Sequence, residues 1–258
     1  GKLKFSPFLS GKDIAEQMLA VQVTMISILQ KRTLSIDQRL IVLSFFVDKL
    51  EEVYYSGDDV AKLIEVYKSE KFWAEQVPFM IQSVEFDAVK FIRLMMELFE
   101  SFYGVKAARI NSFNKGIKFM DALINTLQMK LDENNQVSIS EIAANYVNLA
   151  EARKKFFANY STFLENFLVN ELFMGQYPYK YNPRPSRSIS VFLITYKIFE
   201  LLTFSATQNN LSSKNDLLTL ADWYTNQIDH ADNLNEKIFK YLEENKDFFT
   251  LMETLLEQ

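Results

Sequence analysis

Three tyrosines, Tyr177, Tyr179 and Tyr181, alternate along the segment GQYPYKYNPRPSRS at 175–188, with Lys180 among them and Arg184 and Arg187 following. No acidic residue lies between Glu171 and Glu200. Rings interleaved with cations suit an anion, a nucleobase or an acidic peptide. A proline-stiffened connector whose tyrosines rest on neighbouring helices would use the same residues. The single histidine, His230, stands in IDHADNL beside Asp229 and Asp232. A lone imidazole among carboxylates can carry a proton near neutral pH. It can also close a helix C-terminus, where its positive form meets the helix dipole.

Other chemistries are ruled out by composition. With one His and no Cys, this chain cannot supply structural zinc ligands, iron–sulfur ligands, a thiol nucleophile or the paired Glu-x-x-His of a di-iron bundle. No metal site is expected. The six glycines, at 1, 11, 57, 104, 116 and 175, form neither a dinucleotide fingerprint nor a phosphate-binding loop. Net charge is −5, and residues 214–258 set Lys214, Lys237, Lys240 and Lys246 against ten acids. Such an acidic pole argues against nucleic acid and suits a basic partner, or is simply a solvated face. The absence of Cys fits the cytosol and equally a Cys-poor secreted protein; a cytoplasmic location is expected. The longest uncharged stretch, Gln17 to Gln30, is shorter than the about 20 apolar residues of a membrane span. No signal peptide is visible, and a chain opening on Gly1 reads as a processed or excised piece.

The elements that must position these residues are helical. Only 6 Gly and 5 Pro occur among 258 residues, too few for the turns of a sandwich or barrel. The 23 Phe residues are suited to the wide spaces between helices. Ile14, Met18, Val21, Met25 and Ile28 mark one helix face. Ser35 and Gln38 then form a capping-box pattern that opens a helix carrying Leu40, Leu43, Val47, Leu50 and Tyr54. Gly57 stops it, and Asp58 or Asp59 starts a short successor. Pro78 interrupts the stretch holding Trp73 and Phe79, and apolar positions then run from Phe86 to Phe102 and over about 106–131. A polar loop occupies 132–137, and Ser138 with Glu141 opens a long periodic stretch that continues to Phe167. Beyond the Tyr/Pro segment, helices are expected over about 189–207, 214–230 and 233–256. Arg153, Lys154 and Lys155 read as a solvated basic cluster. The expectation is all-α: a single helical domain over 1–258 of roughly nine to eleven helices without significant sheet, divisible at 1–131 and 138–258.

Two runs extend the reading from fold to function. FLENFLVNELF at 163–173, followed by Pro178, and ISILQKRTLSIDQRLIVLSFFVDKLEEV at 26–53 resemble segments of the bacterial flagellin lysine-N-methylase family. In the second run the shared features are Leu29, Gln30, Arg32, Ser35, Arg39 and Leu40. VFLITYKIFELLTF at 191–204, and the stretch leading to Asp229, His230 and Asn233, is a looser match. The resemblance covers about residues 20–250.

What the resemblance implies is an S-adenosylmethionine-dependent enzyme that methylates lysine ε-amino groups on flagellin. The family carries a cysteine-rich N-terminal portion with an iron–sulfur centre. This chain has no Cys, so it corresponds to the C-terminal helical part, expected to be inactive alone and to need the missing portion as partner. By the chemistry that such a methyl transfer needs, Glu165 of the matched run would hold the substrate ammonium, and Tyr160 and Tyr177 beside it in sequence would accept the developing methylammonium on their ring faces. Asn166 and Asn170, about 40° apart on a helix, would line the cleft with Tyr179, Arg187 and His230. Alternatively, Glu165 and the two asparagines tie their helix to the 175–188 segment, since buried polar groups need partners. The competing function is a non-catalytic helical module that binds protein through the acidic pole or the Tyr/Pro loop. Neither nucleic acid nor membrane insertion is expected.

Overall fold

The computed structural model describes residues 13–103, 110–130, 137–180, 184–230, 232–244 and 247–257. It is helical throughout these residues, with no strand among them. The elements are α1 (Asp13–Leu29), α2 (Ile36–Ser56), α3 (Val60–Lys68), α4 (Glu70–Glu75), α5 (Val77–Gln82), α6 (Ala88–Tyr103) and α7 (Ile110–Leu127). They continue with α8 (Ile139–Asn148), α9 (Ala150–Met174), α10 (Pro185–Gln208), α11 (Lys214–His230), α12 (Asp232–Glu244) and α13 (Phe248–Leu255).

This is more helices than the periodicity alone suggests, because two long apolar stretches are each cut once. The stretch from Ser138 to Phe167 is interrupted at Leu149, whose N–H turns back to the Tyr146 carbonyl. Beyond the break, Arg153 folds over Tyr146, with Nη1 donating to the phenol at 2.7 Å and the guanidinium 4.0 Å from the ring centroid. Arg153 is therefore buried rather than solvated. The C-terminal stretch is likewise divided, with Asp247 starting α13 by accepting from Phe249 N at 3.1 Å and the Thr250 hydroxyl at 2.7 Å. The polar loop at 132–137 lies outside the described residues except for Val137.

Local stop and start signals act where the sequence places them. Ser35 accepts from Gln38 N while the Gln38 side chain takes the Ser35 N–H, a complete capping box. Gly57 ends α2 at φ 75°, a left-handed conformation that glycine adopts without steric cost. Asp59 caps α3 through Ala61 N, and Pro78 sits in the first turn of α5. Replacing Ser35 by Ala should lower stability by about 1 kcal/mol. Chemical denaturation checks this, with a Ser35→Asp variant expected to retain most of it.

The chain forms two compact units. One draws on Gly1–Phe86, Thr162–Leu193 and Asp247–Gln258, the other on Asp87–Ser161 and Ile194–Lys246. The boundaries fall inside α9 and α10, so each long helix contributes residues to both. In the first unit α2 packs with α1, α3 and α5. It buries Leu40, Leu43 and Val47 together with Ile41, Val42 and Phe46, the all-round apolarity of a central helix. Phe46, Tyr67 and Phe72 continue the core with ring centroids 4.9 and 4.3 Å apart, and Phe249 of α13 closes on Phe45 at 6.4 Å. In the second unit α6 packs with α8 and α12, and α7 with α8 and α11. Phe rings bridge the gaps, Phe91 to Tyr146 at 5.0 Å and Phe156 to Phe204 at 5.4 Å.

Candidate functional site

Glu165 lies on α9 in a run that is otherwise aromatic and aliphatic, and only 4% of it is exposed. A carboxylate at that depth must be partnered or neutralised. Two guanidinium groups partner it. Arg32, in the turn between α1 and α2, donates Nε at 3.2 Å to both oxygens and Nη2 at 2.7 Å to Oε1. Arg39, early in α2, donates Nη1 to Oε2 at 2.8 Å. Arg39 is itself buried and spends its remaining bonds on the same turn, with Nε to the Leu34 carbonyl and Nη1 to the Leu29 carbonyl, each 2.9 Å. The Arg32 hydrogen bonds chiefly, with Arg39 adding and burial opposing, hold the Glu165 carboxyl below the ordinary glutamate range. It is ionised at neutral pH.

Arg32, Arg39 and Glu165 come from the two runs quoted above, 26–53 and 163–173, so those runs meet at one buried ion cluster. The partners of Glu165 belong to the α1–α2 turn rather than to segment 175–188. Asn166 and Asn170 are exposed on α9 and need no buried partner. Arg32 and Arg39 are shared features of the 26–53 run, but the sequence alone assigns neither of them to the site. The signal was present, since an acid within an apolar helix needs a cation and two arginines flank the Ser35 cap.

Residues 175–180 of the Tyr/Pro segment are docked on neighbouring helices. Tyr177 is buried with its ring 5.0 Å from Phe192, and its carbonyl accepts Gln22 Nε2 at 3.2 Å. Lys180 Nζ lies 5.7 Å from the Tyr177 ring centroid. The hydroxyls of Tyr179 and Tyr54 meet, and burial pushes both phenols above their ordinary values. Each stays protonated at neutral pH, able to donate or accept a hydrogen bond but not to serve as a base. Glu51 of α2 accepts from Ser186 N at 2.9 Å and from its hydroxyl, placing a negative charge at the positive end of α10. Arg187, in the first turn of α10, is half-buried. Tyr181 lies outside the described residues.

Tyr160 belongs to the second unit, half-buried, with its ring 5.4 Å from Phe156. His230 is the last residue of α11, and its side chain lies outside what the structure describes. In the first unit, a surface groove of about 620 Å³ runs between α3 and α4, with Val66 and Phe72 as apolar lining and Lys62, Lys71, Glu65 and Glu75 as charged lining. Among the described residues no group of three or more His, Asp or Glu could hold a metal ion.

A family model described as the FliB lysine N-methylase C-terminal domain matches residues 22–256. No curated protein and no solved structure matches the chain.

Proposed function

Because the chain belongs to the FliB lysine N-methylase C-terminal domain family, we propose that it forms the C-terminal part of an S-adenosylmethionine-dependent protein-lysine N-methyltransferase acting on flagellin lysines. The observation that carries this reading is the family match over 22–256, within which the quoted runs converge on Glu165.

Methyl transfer to a lysine needs a neutral amine, an aligned donor and exclusion of water. When bound, S-adenosylmethionine supplies the electrophilic methyl group. The α3–α4 groove is within the size range of small-molecule sites. It offers lysines for a carboxylate, acids for an ammonium and the exposed Val66 side chain as an apolar contact. In this reading Glu165 works from beneath the surface. Its charge is committed to two arginines, so it positions the α1–α2 turn against α9. The exposed Asn166 and Asn170, and the half-buried Arg187 in the first turn of α10, are then the first unit's candidates for contact with the incoming chain. An iron–sulfur centre would belong to a cysteine-rich N-terminal portion, since this chain has no Cys to ligate it.

The reading carries a cytoplasmic location without membrane insertion or a nucleic-acid partner. α10 is long and apolar enough to cross a membrane, but 94% of its apolar window is buried inside the fold, as expected of a core helix.

The test is to incubate flagellin and S-adenosylmethionine with this chain alone and with the complete native protein, then map lysines by mass spectrometry. Methyl additions are expected with the complete protein and none with this chain alone. Flagellin left unmodified by an intact, folded complete protein would overturn the assignment.

A further inference from the structure

Arg32 meets Glu165 through Nε and Nη2 only, and among the described residues its Nη1 makes no hydrogen bond. Its side chain is 68% exposed although the carboxylate it grips is 5% exposed. One edge of the guanidinium is therefore clamped against a buried anion while the other faces water. The charges are also unequal. Arg39 alone would neutralise Glu165, so Arg32 leaves one surplus positive charge at the surface, and Glu165 is the acid that acts on it. The backbone beneath is held as well, with Arg32 N–H donating to the Gln30 carbonyl at 2.9 Å and Leu34 N–H to the Lys31 carbonyl at 3.0 Å. Lys31, next in the chain, keeps its Nζ 4.8 Å from the Trp73 ring centroid and reinforces the local positive field.

We propose that the outward edge of Arg32, Nη1 with the free N–H of Nη2, is a binding site for a carboxylate. Two parallel N–H groups match the two oxygens of a planar carboxylate in a fork. An ordinary surface arginine loses rotamer freedom when it binds, and that loss weakens the complex; here Glu165 has already fixed the side chain. A single surplus charge suits a monoanion better than a phosphate dianion, and the nearby α2 N-terminus is already closed by Ser35 and Gln38. The carboxylate can come from an acidic side chain of a protein partner or from a small molecule.

Calorimetric titration of the whole chain distinguishes these sources. One arm uses a short Glu-containing peptide, the other S-adenosylhomocysteine, each against its carboxamide counterpart. At least one carboxylate should bind ten-fold or more tighter than its amide. Arg32→Gln should erase that difference and Arg32→Lys should keep part of it. Because Arg32 also touches Glu165, guanidinium nitrogen NMR of the unsubstituted protein provides a second readout: the Arg32 Nη signals should shift on titration while those of Arg39 stay put. Equal binding of acid and amide, insensitivity to Arg32→Gln, tighter binding of inorganic phosphate than of either carboxylate, or unmoved Arg32 signals would each overturn the proposal. Methylation is not a readout, so failure here leaves the proposed function standing.

Discussion

Glu165→Gln should unfold at a much lower temperature than the parent chain. The substitution preserves shape but leaves the buried Arg39 guanidinium without its anion. Breaking a buried ion pair from one side costs about 3–5 kcal/mol, which for a chain of this size lowers the melting midpoint by roughly 6–20 °C. Circular dichroism melting measures it directly. Replacing both partners, Glu165→Leu with Arg39→Met, should recover much of the loss, because a well-packed apolar pair removes the desolvation penalty altogether. The pH dependence carries the same sign. A carboxyl depressed in the folded state binds fewer protons there than in the unfolded chain. Its stabilisation is thus complete above about pH 4–5, the ordinary range, and lost as pH falls through the lowered value. The Gln variant should lack that part of the acid slope. An unchanged midpoint together with lost methylation by the complete enzyme would instead place Glu165 against the substrate.

Gly116→Ala should also destabilise, against the usual rule. Inside a helix that exchange ordinarily favours folding by up to about 1 kcal/mol. A Cβ on Gly116, however, would stand 2.2 to 2.5 Å from the indole atoms of Trp223 on α11, and Trp223 is buried. Overpacking of this kind costs about 1–3 kcal/mol, so the net expectation is a lower midpoint together with a shifted Trp emission. In a Trp223→Phe background the smaller ring leaves room, and the same exchange should become nearly neutral. Equal destabilisation in both backgrounds would show that the close approach of α7 to α11 is not the cause.

What the sequence discloses here depends on how local the physics is. Ser35, Gly57, Asp59 and Pro78 act on the residues beside them, so the boundaries of α2, α3 and α5 are legible. The breaks at Leu149 and before Phe248 are not, because no Gly or Pro marks them and the apolar period runs on across each. At the first, the burial of Arg153 over Tyr146 compensates the interrupted helix, a contact that composition cannot announce. Glu165 stood out as an acid on an apolar helix, but its partners lie 126 and 133 residues away. The division into two units is hidden for a similar reason, since its boundaries fall in the middle of α9 and α10.

That division has a consequence for synthesis. Every residue of the second unit lies between two segments of the first, and Glu257 N–H reaches back 220 positions to the Asp37 carboxylate. The first five helices therefore leave the ribosome long before the end of α9 and α13 exist to cover α2. At ordinary elongation rates the wait is roughly ten to thirty seconds, during which Phe45 has no Phe249 to meet. The nested unit can close within that interval while its host stays open. Nascent chains stalled before residue 247 should accordingly recruit holding chaperones to the α1–α5 segment, and synthesis of residues 247–257 is the step that releases them.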